Sequence, residues 1–354
     1  MSQGSGPTGR HTIIQVHPTR RCNLRCLHCY SSSGPEVKEE LDEVVLARAI
    51  RAAKSLGYSA LGVSGGEPLL YEPLGRVLDV AHEAGFVTTV TSNGMLLNDR
   101  AMAQIQDRAD LLAISLDGVP ESHNRLRVCD RAFDTMRSCL DRVRGAGIPF
   151  GFIFTLTYHN VHELDWVARF AIDQGAVLLQ IHPLEIVGRA NTTLAESEPD
   201  GVEGAYALWE ALRLQQEYQG RLQIQLDMAT AVALKENPGK VYAGPPPTPQ
   251  APFAEVLSPL VIETDGTASP LVYGFPRHYA LGNICAEPLT SLAERWRIEK
   301  MPSFRAMCER VYRRLLKRKN ISLVNWYEEI RRSCTTKKMR LEGRHTPNRS
   351  MIKA

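Results

Sequence analysis

Cys22, Cys26 and Cys29 fall within eight residues, in the run Cys22-Asn23-Leu24-Arg25-Cys26-Leu27-His28-Cys29. Thiolates are soft ligands that suit iron–sulfur clusters and zinc, and a CxxxCxxC loop can wrap a compact metal centre with three sulfurs. Three ligands leave one position open. A [4Fe–4S] cube held this way keeps one iron for a non-protein ligand, whereas a structural zinc closes with four. His28 is the local candidate for a fourth zinc ligand, but it adjoins Cys29, which makes simultaneous ligation awkward. Cys129, Cys139, Cys285, Cys308 and Cys334 lie singly, so the chain lacks the even framework of a small disulfide scaffold.

A second group of residues could contact a ligand of such a centre. In Ser64-Gly65-Gly66-Glu67-Pro68 the glycines permit positive φ and close backbone approach, and Glu67 can accept a charge-assisted bond from an ammonium. Alone, the pentapeptide reads as an ordinary turn with an exposed glutamate. Thr91-Ser92-Asn93-Gly94 and Ser115-Leu116-Asp117-Gly118 carry small polar residues that serve a turn as readily as a ligand.

These segments need elements to position them. Short β-branched runs at Thr12–Val16, Ala60–Ser64, Val87–Ser92, Leu111–Ser115, Phe150–Leu156 and Val177–His182 read as strands, and each chemical segment follows one of them. Helix-length amphipathic stretches lie between. One starts at Asp42, aligns Val45, Leu46, Ile50, Ala53 and Leu56 and stops at Gly57; another covers Arg131–Ala146 and ends at Gly147. Six strand–helix units predict an α/β fold with a parallel sheet and right-handed crossovers, and six fall short of the eight of a complete barrel. The expected architecture is a partial (β/α)6 barrel over 12–220, after a flexible N-terminus at 1–11.

Beyond a helix at Val202–Glu217 the register changes. Residues 238–252 contain six prolines, which no helix or central strand tolerates, so 221–252 is read as a linker. Glu255–Glu263 and Ala268–Val272 flank the turn Thr264-Asp265-Gly266-Thr267, a hairpin signal. Helices near Pro288–Lys300 and Ser303–Lys317 complete a small α+β unit over 253–320, followed by a basic helix and tail at 321–354.

Cys22/Cys26/Cys29 after a first strand, with Ser64–Pro68 after a second, resembles the radical S-adenosylmethionine (radical SAM) superfamily. The resemblance implies one [4Fe–4S] cluster on the three cysteines, with S-adenosylmethionine (SAM) chelated to the unique iron and cleaved reductively to a 5′-deoxyadenosyl radical that abstracts a substrate hydrogen. By the same resemblance Ser64, Gly65, Gly66, Glu67 and Pro68 meet the SAM amino group, and Ser92, Asn93, Ser115 and Asp117 lie near its ribose and carboxylate. Arg127 takes the place of a carboxylate-binding arginine, with Arg125 as its competitor. His182-Pro183-Leu184 and Gly188-Arg189-Ala190 resemble a "Pro…GRA" segment, which brings Leu184 to the cofactor; His182 reads as structural. Tyr30 and His28 shield the cluster.

Val261–Pro270 and Leu281–Trp296 resemble the SPASM/twitch extension of radical SAM enzymes that modify peptides or act on tetrapyrroles. Together the resemblances cover roughly residues 12–310. Where that extension supplies cysteines for auxiliary clusters, this chain has Phe253 or Ser258 and Leu271, so a SPASM-like cap without such clusters is expected. Cys285, Cys308 and Cys334 are candidate hydrogen donors to a product radical, against the plainer reading of each as an inert thiol. Cys129 and Cys139 read as core or interface positions.

The chain of 354 residues, 44% hydrophobic, can bury a sizeable core, and no apolar run reaches membrane-spanning length. A cytoplasmic enzyme is expected. Its net charge of +3 is uneven: residues 300–354 hold 16 Lys+Arg against 4 Asp+Glu, a basic appendage on an acidic body that suits an acidic partner. The leading expectation is modification of a ribosomally made peptide by epimerisation, cross-linking or backbone excision. Leader recognition then falls to a separate protein, and flavodoxin or ferredoxin donates electrons. A tetrapyrrole or other small molecule is the alternative substrate. A non-catalytic iron–sulfur or nucleic-acid-binding protein is the rival class, disfavoured because the tail lacks interleaved aromatics.

Overall fold

The structure is a computed structural model that describes residues 11–199, 201–318 and 323–342, the last eight of these as backbone alone. Strands β1 (Ile13–Val16), β2 (Ala60–Val63), β3 (Val87–Ser92), β4 (Leu111–Ser115), β5 (Phe150–Leu156), β6 (Leu178–Pro183) and β7 (Gln223–Leu226) pair in sequence order, all parallel. The β-branched and aromatic side chains that favour a pleated strand also supply its core face. Ile14, Val16, Leu61, Val63, Val90, Leu112, Ile114, Phe152 and Phe154 are wholly buried against the flanking helices, each contributing about 1.5–3 kcal/mol by burial.

Helix α1 (Glu43–Ser55) shows how the crossovers are built. Asp42 caps it, its carboxylate accepting from the N–H groups of Val44 and Val45, and Leu46, Ala49, Ile50 and Ala53 form the buried stripe. The helix ends before Gly57, whose φ of +95° suits glycine. Helices α2 (Leu74–Glu83), α3 (Asp99–Ile105), α5 (Ala132–Gly145), α6 (Leu164–Asp173) and α7 (Gly201–Glu217) cover the rest of the outer face, and α4 (Pro120–Arg127) lies at the rim against the loop after β1.

Register partners in a parallel ladder share a face. One inward row is Gln15, Gly62, Thr89 and Leu111. The next is Thr91, Ala113, Gly151, Leu178 and Gln223, followed by Ser115, Ile153, Gln180 and Gln225. Thr155 pairs with His182 nearest the C-terminal rim. Amides, hydroxyls and small or apolar groups make up these rows, and none of their members is a lysine or arginine.

Two expectations change. The stretch read as a linker, 221–252, contributes β7, so the parallel sheet has seven strands in chain order where six were expected. The signal was there in the alternation Leu222-Gln223-Ile224-Gln225-Leu226, but five residues before a proline-rich segment carry little weight. The second change concerns the cap hairpin. Its first strand, β8 (Leu260–Ile262), begins only after Pro259, which has no N–H for a ladder, and Phe253–Val256 is a helical turn instead of strand. β8 pairs parallel with β1 and antiparallel with β9 (Thr267–Pro270), which pairs in turn with β10 (Gly282–Asn283). The cap therefore continues the barrel sheet past its first strand. Helices α8 (Leu289–Glu299) and α9 (Met301–Leu316) pack on each other, and α8 also packs on α1. Trp296 is buried and donates from its ring N–H to the Tyr279 carbonyl at 2.7 Å. Helix α10 (Trp326–Glu342) packs on α9; the extreme basic tail and the flexible N-terminus of the sequence reading lie outside the described residues.

Candidate active site

The loop after β1 carries Cys22 and Cys26, both buried, and Cys29, half-buried; all three are free thiols. Backbone contacts from distant segments fix its path. Leu27 donates its N–H to the Leu126 carbonyl at 2.8 Å, and Arg189 donates from its own N–H to Cys29 O at 2.9 Å. The Arg189 guanidinium then spans Cys26 O at 2.8 Å and Ser33 O at 2.7 Å, and Thr193 Oγ1 donates to Leu27 O at 2.6 Å. Gly188, at φ +57°, lets this clamp approach: a Cβ there would overlap the carbonyls of Tyr30 and Cys29.

Burial pushes the Cys22 thiol up to about 12, with Glu67 and the neighbouring thiolates adding to the rise, and burial likewise raises Cys26. Three such thiolates together are stable only around compensating positive charge. Three thiols on one short loop, with one ligand position left open, suit a cluster in which each thiolate would hold its own iron. The donor set therefore fits a [4Fe–4S] cluster.

The loop after β2 is locked to the thiol loop. Gly66 donates to Thr19 O at 2.7 Å and Glu67 to Arg21 O at 2.9 Å through their N–H groups, and a Cβ on Gly66 would overlap the Arg21 carbonyl. The glycines thus allow two loops to touch. Glu67, wholly buried, accepts from Ser92 Oγ at 2.9 Å, from Asn93 N at 2.8 Å and from Leu69 N at 3.2 Å. Burial raises its carboxyl to about 7 despite these donors. Asn93 passes the connection on, donating from Nδ2 to Asn23 Oδ1 at 2.7 Å. Pro68 opens a short 3-10 turn, and Ser64 Oγ lies 3.2 Å from the Tyr30 hydroxyl.

On β4 and α4 the structure separates the two arginines. Arg125 points to solvent and Arg127 inward, where its Nε donates to Asp117 Oδ2 at 2.6 Å and its Nη1 lies 3.8 Å from Cys26 Sγ. Asp117 is completely buried. Burial alone would raise its carboxyl, but Arg127, then His28 and His123, hold it below the usual carboxylate range. Burial lowers His28 to about 4 and His123 to about 3. Ser115 is buried at the end of β4.

Residues 16–171 match the family model of the radical SAM superfamily. They form a radical SAM domain. The chain is 30% identical over 187 residues to Fe-coproporphyrin III synthase of Methanosarcina barkeri, covering 52% of this chain and 47% of that protein. It is 29% identical over 184 residues to PqqA peptide cyclase of Ruegeria pomeroyi, covering 51% and 49%. The chain spans about half the length of these relatives. In fold it is similar to Streptococcus suis SuiB bound to S-adenosylmethionine, with a TM-score of 0.66 at 14% identity over 84% of this chain and 68% of SuiB. The cofactors of a radical SAM domain are a [4Fe–4S] cluster and SAM.

The remaining expected site residues differ in their surroundings. Leu184 is buried in a small apolar cluster with Leu126, Ala190 and Leu194, where its side chain braces the loop after β6. Cys308 is wholly buried on α9, where burial pushes its thiol up, the setting of an inert core thiol. Cys285 is exposed beside the cap turn at Gly266, and Cys334 is half-buried on α10. Other rim residues carried no sequence signal. His17, 1% exposed, has both ring nitrogens without a protein partner and lies 4.9 Å from Tyr273 and 5.8 Å from Tyr30 between ring centroids. His182, read as structural, meets Glu185 three residues on and Asp227, which comes to it only across β6 and β7.

Proposed function

We propose that this chain is a radical SAM enzyme that abstracts hydrogen from a peptide segment held in the barrel mouth beside the cap. Cys22, Cys26 and Cys29 hold the cluster, and Glu67, with Ser92, Asn93, Ser115 and Asp117 around it, lines the place for SAM. Bound together, cluster and SAM supply reductive cleavage of a sulfonium and thereby a hydrogen-abstracting radical. Arg127 balances Asp117 and faces the Cys26 thiolate, while Arg189 holds the thiol loop by its carbonyls. Tyr30, Tyr273 and His17 cover the β1 side and keep water from the thiols.

The observation that carries the peptide reading is the inward face of the barrel. Its rows of amides and hydroxyls match the donors and acceptors of a peptide backbone. A tetrapyrrole brings several carboxylates, which call for arginine or lysine, and the rim arginines Arg127 and Arg189 are committed to Asp117 and to main-chain carbonyls. The name of the M. barkeri relative favours the tetrapyrrole as the second reading. An electron donor such as flavodoxin or ferredoxin and a separate leader-recognition protein complete the proposal. Among the described residues no helix is long and apolar enough to cross a membrane, in keeping with a cytoplasmic setting.

Anaerobic reconstitution tests the reading. About four irons per chain are expected in the wild type and none in the Cys22→Ala/Cys26→Ala/Cys29→Ala variant. Dithionite-reduced wild type supplied with SAM should yield 5′-deoxyadenosine. Failure to form it in a protein with full iron sinks the proposal, and faster formation with coproporphyrin III than with any peptide supports the second reading.

A further inference from the structure

On the β6–β7 side of the rim, away from the thiol loop, three ionisable groups meet. His182 Nδ1 lies 3.1 Å from Asp227 Oδ2 and its Nε2 lies 3.6 Å from Glu185 Oε1. Asp227 is further held by Gln180 Nε2 at 2.5 Å and Gln225 Nε2 at 2.8 Å. Gln180 and Gln225 belong to one inward row and His182 to the next, so the triad crowns the barrel lumen at its open end. All three side chains are partly accessible, at 37% for His182, 13% for Glu185 and 20% for Asp227.

We propose that this triad anchors a basic side chain or amino group of the substrate, so that the peptide segment entering the barrel is cationic. The inference rests on the peptide reading and names the charge of that peptide. Two carboxylates against one imidazolium leave one net negative charge. Burial would lower the imidazole, but the two carboxylates hold it up to about 10, which keeps that balance through neutral pH. Both ring nitrogens of His182 are engaged, so the triad offers acceptors and not donors. Asp227 Oδ2 already takes two donors. Glu185 meets His182 through Oε1 at 3.6 Å and keeps 13% of its side chain exposed, and it is the carboxylate offered to an incoming cation.

The neighbours do not cancel the charge. Arg331 on α10 bears on Glu185 and is bonded to Glu328, and Arg332 bridges Glu328 and Glu198, so these two guanidiniums are matched by the carboxylates of Glu328 and Glu198 and the whole group keeps one net negative charge. The Tyr30 phenol, the other ionisable group near Glu185, is raised by burial and stays neutral. With no lysine or arginine in the inward rows, an anionic segment would meet an unpaired negative charge in a partly desolvated site, whereas a lysine or arginine would pair with it.

The test uses reconstituted holoenzyme with SAM bound and two blocked peptides, acetyl-Ala-Ala-Lys-Ala-Ala-amide and its Glu counterpart, titrated calorimetrically at low salt. The Lys peptide should bind at least tenfold tighter, and Glu185→Gln and Asp227→Asn should each erase most of that preference. Glu185→Asp should restore part of it. Iron content checks that each variant keeps its thiol loop. Equal affinity, a Glu preference, no binding of the Lys peptide at millimolar concentration, or a preference surviving in both Glu185→Gln and Asp227→Asn overturns the inference. If wild type forms 5′-deoxyadenosine and no charge preference is found, only the anchor fails. If it forms none, the radical SAM reading fails first.

Discussion

The Asp117–Arg127 pair offers the sharpest test of how the rim is held. Arg127→Met keeps an unbranched apolar stem and deletes the guanidinium and its charge. Asp117, completely buried, would lose the guanidinium 2.6 Å away and keep only His28 at 3.8 Å and His123 at 3.9 Å as sources of positive charge. Both imidazoles are neutral at pH 7.5, depressed to about 4 and about 3 chiefly by burial, and charging either costs most of what it returns. Breaking a buried pair by removing one partner costs about 3–5 kcal/mol, and this geometry sits at the upper half of that range. In the Asp117→Asn/Arg127→Met variant no buried charge is unpaired, and the amide oxygen can still accept from Thr155 N, now 3.2 Å from Asp117 Oδ1. It should recover at least half of the loss. Urea unfolding of the metal-free protein at pH 7.5 reads both values. The acid limb gives a second reading. A carboxyl held below its ordinary 3.8 contributes stability that is present above that pH and lost as pH falls through the lower folded value, and Arg127→Met should flatten that limb. A single-variant loss under about 1 kcal/mol, or a double variant no more stable than the single, would refute the reasoning.

Gly66→Ala puts a methyl against the Arg21 carbonyl and within 2.8 Å of Arg20 backbone, while Gly145 has nothing within 4 Å; the first variant should retain less than half the reconstituted iron and Gly145→Ala all of it. Arg189→Lys loses the planar fork that spans Cys26 O and Ser33 O, so a chelator should strip its cluster several-fold faster than that of the wild type. His182, raised above its unfolded 6.5 to about 10, stabilises fully below about pH 6.5 and progressively less as pH climbs toward 10. Between pH 7.5 and 10 the thermal midpoint of His182→Gln should therefore fall less steeply than that of the wild type.

Short-range pattern made much of this protein legible. The strands at Val87–Ser92, Leu111–Ser115 and Phe150–Leu156 occupy the expected residues, because β-branched runs bounded by helix caps and glycines carry their own boundaries. The thiol loop and the loop at Gly65–Pro68 were visible for the same reason: each is a few consecutive residues whose spacing expresses their chemistry. Contacts between segments were not. Nothing in the residue types separates Arg125 from Arg127; helical phase against the β4 loop turns one outward and buries the other on Asp117. Cys308 resembles any other single thiol until α9 buries it. The pairing of β8 with β1 joins residues about 245 apart, and Asp227 completes the pair His182 and Glu185 only because β6 and β7 are neighbours. Such contacts depend on which faces pack together, a property of the whole chain, and local spacing does not encode it.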